Sequence, residues 1–129
     1  MNQIKTFTGG CHCGAVRYQV QVENLTAVEC NCSICSKKGF IHLIVPAARF
    51  TLIQGRDDLS IYTFNTGIAK HYFCRHCGIH SFYQPRSHPN GYDVNLRCLD
   101  NNYLDVFEIT AFDGRHWEEK IDQIEGKYS

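Results

Sequence analysis

The 129-residue chain has no long apolar run, no excess of either charge and no sustained helical repeat. No segment approaches the roughly 18 consecutive apolar residues of a membrane span, and the N-terminal MNQIKTFTGG lacks the apolar core of a signal peptide. Thirteen basic residues balance 13 acidic ones, and the longest basic run is the SKK at 36–38. Because broad nucleic-acid binding needs a basic surface, we expect neither nucleic acid nor membrane as a partner. These absences predict a soluble, cytoplasmic protein.

Several common catalytic patterns are also missing. The sequence contains no phosphate-binding glycine loop, no Ser–His–Asp order and no pair of acidic residues at a useful spacing. It has no internal linker, and 43% of its residues are hydrophobic. Its length is typical of one domain with one modest core, so we predict a single domain over residues 1–129.

The sequence does contain many short strand patterns. Segments rich in β-branched and aromatic residues are separated by Gly, Asn, Asp or Pro. They predict strands at 16–22, 40–45, 50–54, 59–64, 70–74, 80–84, 92–96 and 104–112. Helical turns are expected only near SICSKK (33–38), PAARF (46–50) and WEEKID (117–122). The pattern predicts a mainly β, mostly antiparallel domain whose loops are fixed by metal.

Cysteine is abundant and clustered. The eight cysteines fall at 11 and 13, at 30, 32 and 35, at 74 and 77, and at 98. The lack of an export signal argues against disulfides, and a bridge within so short a loop as C-x-C would be strained. The clusters therefore predict metal binding, and zinc is the ion that sets of three or four thiolates suit.

Spacing alone allows two divisions of these cysteines. In the first, the two clusters that end in Cys-Gly form a structural four-cysteine zinc site, made of Cys11, Cys13, Cys74 and Cys77. This leaves a separate set with an open fourth position, the pattern of a catalytic zinc, made of Cys30, Cys32 and Cys35. In the second, a zinc ribbon is formed by Cys32, Cys35, Cys74 and Cys77. Cys11, Cys13 and Cys30 are then not part of that site.

Longer stretches of the chain carry a family resemblance. GGCHCGAVRYQV, CNCSICSKKG, FCRHCGIHSFY and VNLRCLD, closing with FDGRHWE, follow one another from about residue 7 to 118. In this order they resemble the glutathione-dependent formaldehyde-activating enzyme family, which includes the centromere protein V type domain. The resemblance implies one zinc-binding domain of several coiled antiparallel sheets with zinc-knuckle loops, of the Mss-four-like type. It favours the first division, with two Zn²⁺ ions and all seven clustered cysteines as ligands.

The resemblance also implies an activity. The family reaction is that of a carbon–sulfur lyase, joining formaldehyde to glutathione to give S-(hydroxymethyl)glutathione. A related aldehyde and a similar small thiol are equally compatible as partners. Three thiolates would favour a soft sulfur as the fourth zinc ligand, and coordination would deprotonate that thiol. Cys30, Cys32 and Cys35 are accordingly the predicted catalytic residues.

Glutathione is anionic and would need cations near the second site. Lys37 and Lys38 follow Cys35 directly and are the predicted contacts, with Arg75 and Arg97 as weaker candidates. The oligomeric state is left open by the sequence.

The remaining candidates have ordinary interpretations. We expect Cys98 to be a small buried side chain rather than a ligand, because no knuckle surrounds it. His42, His71 and His80 could shuttle a proton, but we expect packing roles for them. Two functions without turnover also remain open: a zinc-stabilised binding module, and a redox or zinc sensor in which the second set of thiolates oxidises.

Overall fold

The computed structural model describes residues 4–31, 33–64, 67–85, 88, 90–100 and 106–113. Within these residues lie ten strands, one short α-helix and three 3-10 turns. The strands are β1 (Lys5–Gly10), β2 (Arg17–Val22), β3 (Thr26–Cys30), β4 (Ile41–Pro46), β5 (Phe50–Gln54), β6 (Leu59–Tyr62), β7 (Lys70–Cys74), β8 (Phe82–Gln84), β9 (Gly91–Asn95) and β10 (Glu108–Phe112). The helix α1 covers Ser33–Lys38, and the 3-10 turns cover Ala47–Arg49, Arg56–Asp58 and Leu96–Cys98.

The mainly β prediction is confirmed, and each of the eight predicted strand segments overlaps a strand. In the described part of the segment at 104–112, the strand covers Glu108–Phe112. Two predicted helical turns also form, as α1 and as the 3-10 turn after Pro46. The third, WEEKID at 117–122, lies outside the described residues.

Two strands were not predicted, β1 and β3. β1 ends in two glycines, which are depleted in strands and weaken the sequence signal. The structure gives the reason for them, because a Cβ on Gly9 would lie 2.5 Å from the Cys98 carbonyl oxygen. A Cβ on Gly10 would lie 2.1 Å from the carbonyl oxygen of Val16. Close backbone approach therefore requires glycine at both positions.

The strands form two sheets. The smaller is antiparallel, in the order β1-β2-β5. The larger has the order β10-β3-β4-β9-β8-β7-β6, and its pairs are antiparallel except for β10 with β3. The several-sheet architecture is thus as expected, with one parallel pair at the edge of the larger sheet.

The main core lies between the two sheets. Alternate residues of β2 (Tyr18, Val20 and Val22) and of β4 (Ile41, Leu43 and Val45) belong to one buried cluster. Burying an aliphatic or aromatic side chain of this size contributes roughly 1.5–3 kcal/mol. Because side chains alternate along a strand, the core-facing residues of β4 leave His42 and Ile44 on the opposite face of the larger sheet.

Candidate metal centres

The first cysteine group joins two loops that are distant in sequence. Cys11 and Cys13 lie in the turn between β1 and β2, whereas Cys74 ends β7 and Cys77 follows in the next turn. Their four sulfur atoms all lie within 4.8 Å of one another. The glycines after the two clusters, at 14 and 78, have φ values of 85° and 77°, a left-handed conformation that glycine adopts without strain.

The sulfur spacing in this group fits zinc. The Cys13 sulfur lies 3.6 Å from the sulfur of Cys11 and 3.6 Å from that of Cys74. Four sulfurs placed 2.3 Å from one tetrahedral ion would be about 3.8 Å apart, whereas a disulfide needs about 2.05 Å. The group can therefore hold a zinc ion after only small side-chain adjustments.

Backbone N–H groups support thiolates in these loops. The N–H of Val16 donates to the Cys11 sulfur at 3.3 Å. Burial opposes ionisation of Cys77, but hydrogen bonds, among them those from the backbone N–H groups of Cys13 and Ile79, lower its pKa from 9.0 to about 6. Although a backbone hydrogen bond from Ala15 opposes the change, burial and the neighbouring thiols raise the pKa of Cys13 to about 12. Without an ion the negative charge of the group is therefore concentrated on Cys77, and zinc would bind all four sulfurs as thiolates.

The second group combines two of the three other clustered cysteines with a histidine. Cys30 ends β3, Cys35 lies in α1, and His42 lies in β4. Their ligand atoms also lie within 4.8 Å of one another. The remaining predicted ligand, Cys32, lies outside the described residues. Sequence reasoning expected only a packing role for His42, because an apolar strand does not reveal which of its faces will be polar.

A buried carboxylate orients this histidine. His42 Nδ1 is hydrogen-bonded to Asp93 Oδ2 of β9, and its Nε2 lies 3.1 Å from the Cys35 sulfur. His42 is 5% exposed and Asp93 is 1% exposed. Because the carboxylate accepts a hydrogen bond from the Nδ1–H group, the Nε2 lone pair is directed toward the cysteines.

A cleft of about 580 Å³ opens beside this second group. Cys30 and Cys35 form part of its wall, together with Phe40. Among the described residues, its charged lining consists of one cation, Arg97, and two acids, Glu29 and Asp113. The cleft can therefore take a small molecule that carries charges of both signs.

The two predicted lysine contacts lie in different environments. Lys37 is exposed, and neither it nor Lys38 is among the residues that line the cleft. The Lys38 ammonium points to the polar face of the larger sheet, where its Nζ lies 2.9 Å from His80 Nδ1 and 3.3 Å from His71 Nδ1. It also lies 4.7 Å from the ring centre of Phe40 and 4.6 Å from that of Tyr83. These are cation–π distances, so the side chain is held by rings as well as by hydrogen bonds.

The other two candidate cations, Arg97 and Arg75, also lie in different environments. Arg97 lines the cleft, whereas Arg75 lies 3.7 Å from the carboxylate of Asp58 beside the first cysteine group. Arg97 was the weaker prediction from sequence, because it is distant from the second cysteine cluster along the chain.

Cys98 belongs to neither metal-capable group of the described residues. It ends a 3-10 turn, and burial, aided by negative charge on Cys11 and Cys77, raises its pKa from 9.0 to about 11. The side chain thus remains a neutral thiol.

The chain is similar to known proteins in both sequence and fold. The model of the glutathione-dependent formaldehyde-activating enzyme family matches residues 6–112. A crystal structure of a Rhodobacter sphaeroides protein is 38% identical, with a TM-score of 0.74, over 81% of this chain and 99% of that one. None of the helices among the described residues has the length and apolar character needed to cross a bilayer. By its sequence match over most of its length, the chain belongs to the glutathione-dependent formaldehyde-activating enzyme family.

Proposed function

We propose that the protein joins formaldehyde, or a related small aldehyde, to glutathione or a similar thiol, forming an S-hydroxymethyl adduct. The observation that carries the proposal is the cleft whose wall includes Cys30 and Cys35, in a chain of this family. In this reaction the thiol loses its proton, a C–S bond forms at the aldehyde carbon, and the carbonyl oxygen receives a proton. The reverse direction is the carbon–sulfur lyase reaction.

The proposal includes two zinc sites. Cys11, Cys13, Cys74 and Cys77 would hold a structural ion that ties the β1–β2 turn to the end of β7. Cys30 and Cys35, together with Cys32 as predicted from the sequence, would hold the second ion. When bound there, zinc would supply Lewis acidity that favours the thiolate form of an incoming thiol.

The charges of the cleft suit glutathione, which carries two carboxylates and one ammonium group. Arg97 would pair with a carboxylate, and Glu29 and Asp113 would pair with the ammonium, since all three line the cleft. Lys37 and Lys38 remain proposed contacts for the second carboxylate, since both lie in the last turn of the helix that carries Cys35. Lys37 is exposed there, whereas Lys38 would have to leave its contact with His80 to reach the carboxylate. We place the activity in the cytoplasm, where thiols stay reduced.

Equilibrium exchange NMR tests the proposal, because the uncatalysed addition is itself rapid. ¹³C-formaldehyde and glutathione would be mixed with zinc-loaded protein, and the exchange rate between free aldehyde and adduct would be measured. We expect faster exchange than in buffer, and loss of the acceleration in Cys35→Ser but not in the matched Cys98→Ser variant. Exchange at the buffer rate with two zinc ions per chain would count against turnover and favour a binding or sensing role.

A further inference from the structure

We infer that His42 is a protein ligand of the second metal ion and that Asp93 holds it in the ligating orientation. This inference rests on the second metal site of the proposed function. It changes that site from three cysteines with an open position to three cysteines and one histidine. The sequence patterns and the family match do not assign this role to His42.

The imidazole of His42 lies within ligand distance of the two cysteines. His42 Nε2 lies 3.1 Å from the Cys35 sulfur, and the ligand atoms of Cys30, Cys35 and His42 lie within 4.8 Å of one another. A thiolate sulfur and an imidazole nitrogen bound to one tetrahedral zinc would be about 3.6 Å apart. A shift of about half an ångström, within the reach of side-chain torsions, brings the pair to that spacing.

The pairing of β4 with β9 brings Asp93 to the other ring nitrogen of His42. β4 and β9 pair so that Asn95 lies opposite His42 and Asp93 lies opposite Ile44. This register places Asp93 diagonally across from His42 on the same face, where its Oδ2 accepts from His42 Nδ1. Metal-bound histidines commonly donate their other N–H to a carboxylate in this way, which fixes the tautomer and raises the basicity of the ligating nitrogen.

Asp93 is a fixed support for the ring. Its side chain is 1% exposed, and among the described residues its Oδ1 has no hydrogen-bond partner. Its Oδ2 is the atom that contacts His42 Nδ1. Because the carboxylate is buried on the sheet, this contact keeps the ring in one orientation, with Nε2 directed at the Cys35 sulfur.

Ligation by His42 would also affect how a substrate thiol binds to the metal. With Cys32 as the third thiolate predicted from the sequence, the protein would supply three sulfurs and one nitrogen, the four ligands that a zinc ion takes. A substrate thiol must then compete with His42 for one position. The imidazole is the neutral member of the set, so it is the ligand that a thiolate replaces most readily.

Cadmium NMR on the full chain tests the inference without an activity assay. Protein loaded with two ¹¹³Cd ions per chain should give two cadmium resonances, one of which correlates with the ring protons of a histidine. The correlation should disappear in His42→Ala and persist in the matched His80→Ala variant. His80 lies on the same polar face but outside the cysteine–histidine group. Asp93→Asn should lower zinc affinity at the second site by about tenfold to a hundredfold in chelator competition.

Several results would overturn the inference. One cadmium ion per chain, two ions with no histidine correlation in the wild type, or a correlation that survives in His42→Ala would each do so. If a variant fails to fold, assignment of the correlated ring protons in the wild-type spectrum decides the matter, and their assignment to any histidine other than His42 would also overturn the inference. Adding glutathione separates this inference from the proposed function. Loss of the histidine correlation supports both, whereas a correlation that persists at saturating glutathione counts against thiol binding at the metal but leaves His42 a ligand.

Discussion

The ammonium of Lys38 lies 2.9 Å from Nδ1 of His80, on the face of the larger sheet that also carries His42. A lysine ammonium has only donors, so the His80 ring must accept at Nδ1 and remain neutral. Burial, with the Lys38 charge as the next largest cause, lowers the pKa of His80 from 6.5 to about 2. The polar face therefore holds a fixed positive charge within contact of a histidine that does not take a proton at neutral pH.

Acid should destabilise the fold partly through His80. Its pKa is about 6.5 in the unfolded chain and about 2 in the folded protein, so below pH 6.5 the unfolded state binds the additional proton. Stability from this group is fully present above pH 6.5 and falls as the pH is lowered toward 2. His80→Phe should lose stability less steeply on acidification, by up to about 1.4 kcal/mol per pH unit.

Urea unfolding of both zinc-loaded proteins between pH 8 and pH 4 measures this difference. Both share the same cysteine sites, so acid release of zinc affects them alike and cancels in the comparison. Parallel curves of unfolding free energy against pH would show that His80 does not contribute the expected linkage.

Arg97 should determine affinity for charged thiols. Arg97→Ala removes the cation of the cleft and should raise the KM for glutathione about fivefold, equivalent to about 1 kcal/mol for an exposed pair. The KM for 2-mercaptoethanol, which has no carboxylate, should not change. Lys37→Ala serves as the matched variant, and a larger effect there than at Arg97 would transfer the carboxylate contact to the end of α1.

Removal of the first metal should unfold the protein. Cys77→Ser breaks the four-sulfur group that joins the β1–β2 turn to the end of β7, and the binding energy of a structural zinc is largely folding energy. We expect loss of the cooperative thermal transition followed by circular dichroism. Cys98→Ser, which changes a thiol outside both groups, should keep the transition. A cooperative transition in Cys77→Ser near the wild-type temperature would contradict a structural role.

The glycine pair that ends β1 should tolerate no side chain. In Gly10→Ala the new Cβ would meet the Val16 carbonyl oxygen at 2.1 Å, so the β1–β2 hairpin must shift. Overpacking of this kind costs about 1–3 kcal/mol. Chemical denaturation should show that loss, whereas Thr6→Ala, at an exposed position of the same strand, should change stability by less than about 0.5 kcal/mol. Equal stability of the two variants would mean that the hairpin is more adaptable than its geometry implies.

The sequence by itself determined the cysteine clusters, the mainly β class and the family. These features are local, since a knuckle is read from C-x-C, C-x2-C and the glycine that follows, and a strand from its alternation. The strand pattern failed at β1, because the glycines needed for contact with distant backbone lower the local strand signal.

Only the tertiary structure decided which polar residues meet. His42 and Asp93 are 51 positions apart. The alternation in β9 places Asp93 and Asn95 on one face, but the apolar sequence of β4 does not indicate which of its faces will be polar. Their contact depends on the register between β4 and β9, and a slip of one residue would place them on opposite faces. The same holds for Arg97 at the cleft and for Lys38 among the rings, since pairing between distant strands sets their neighbours.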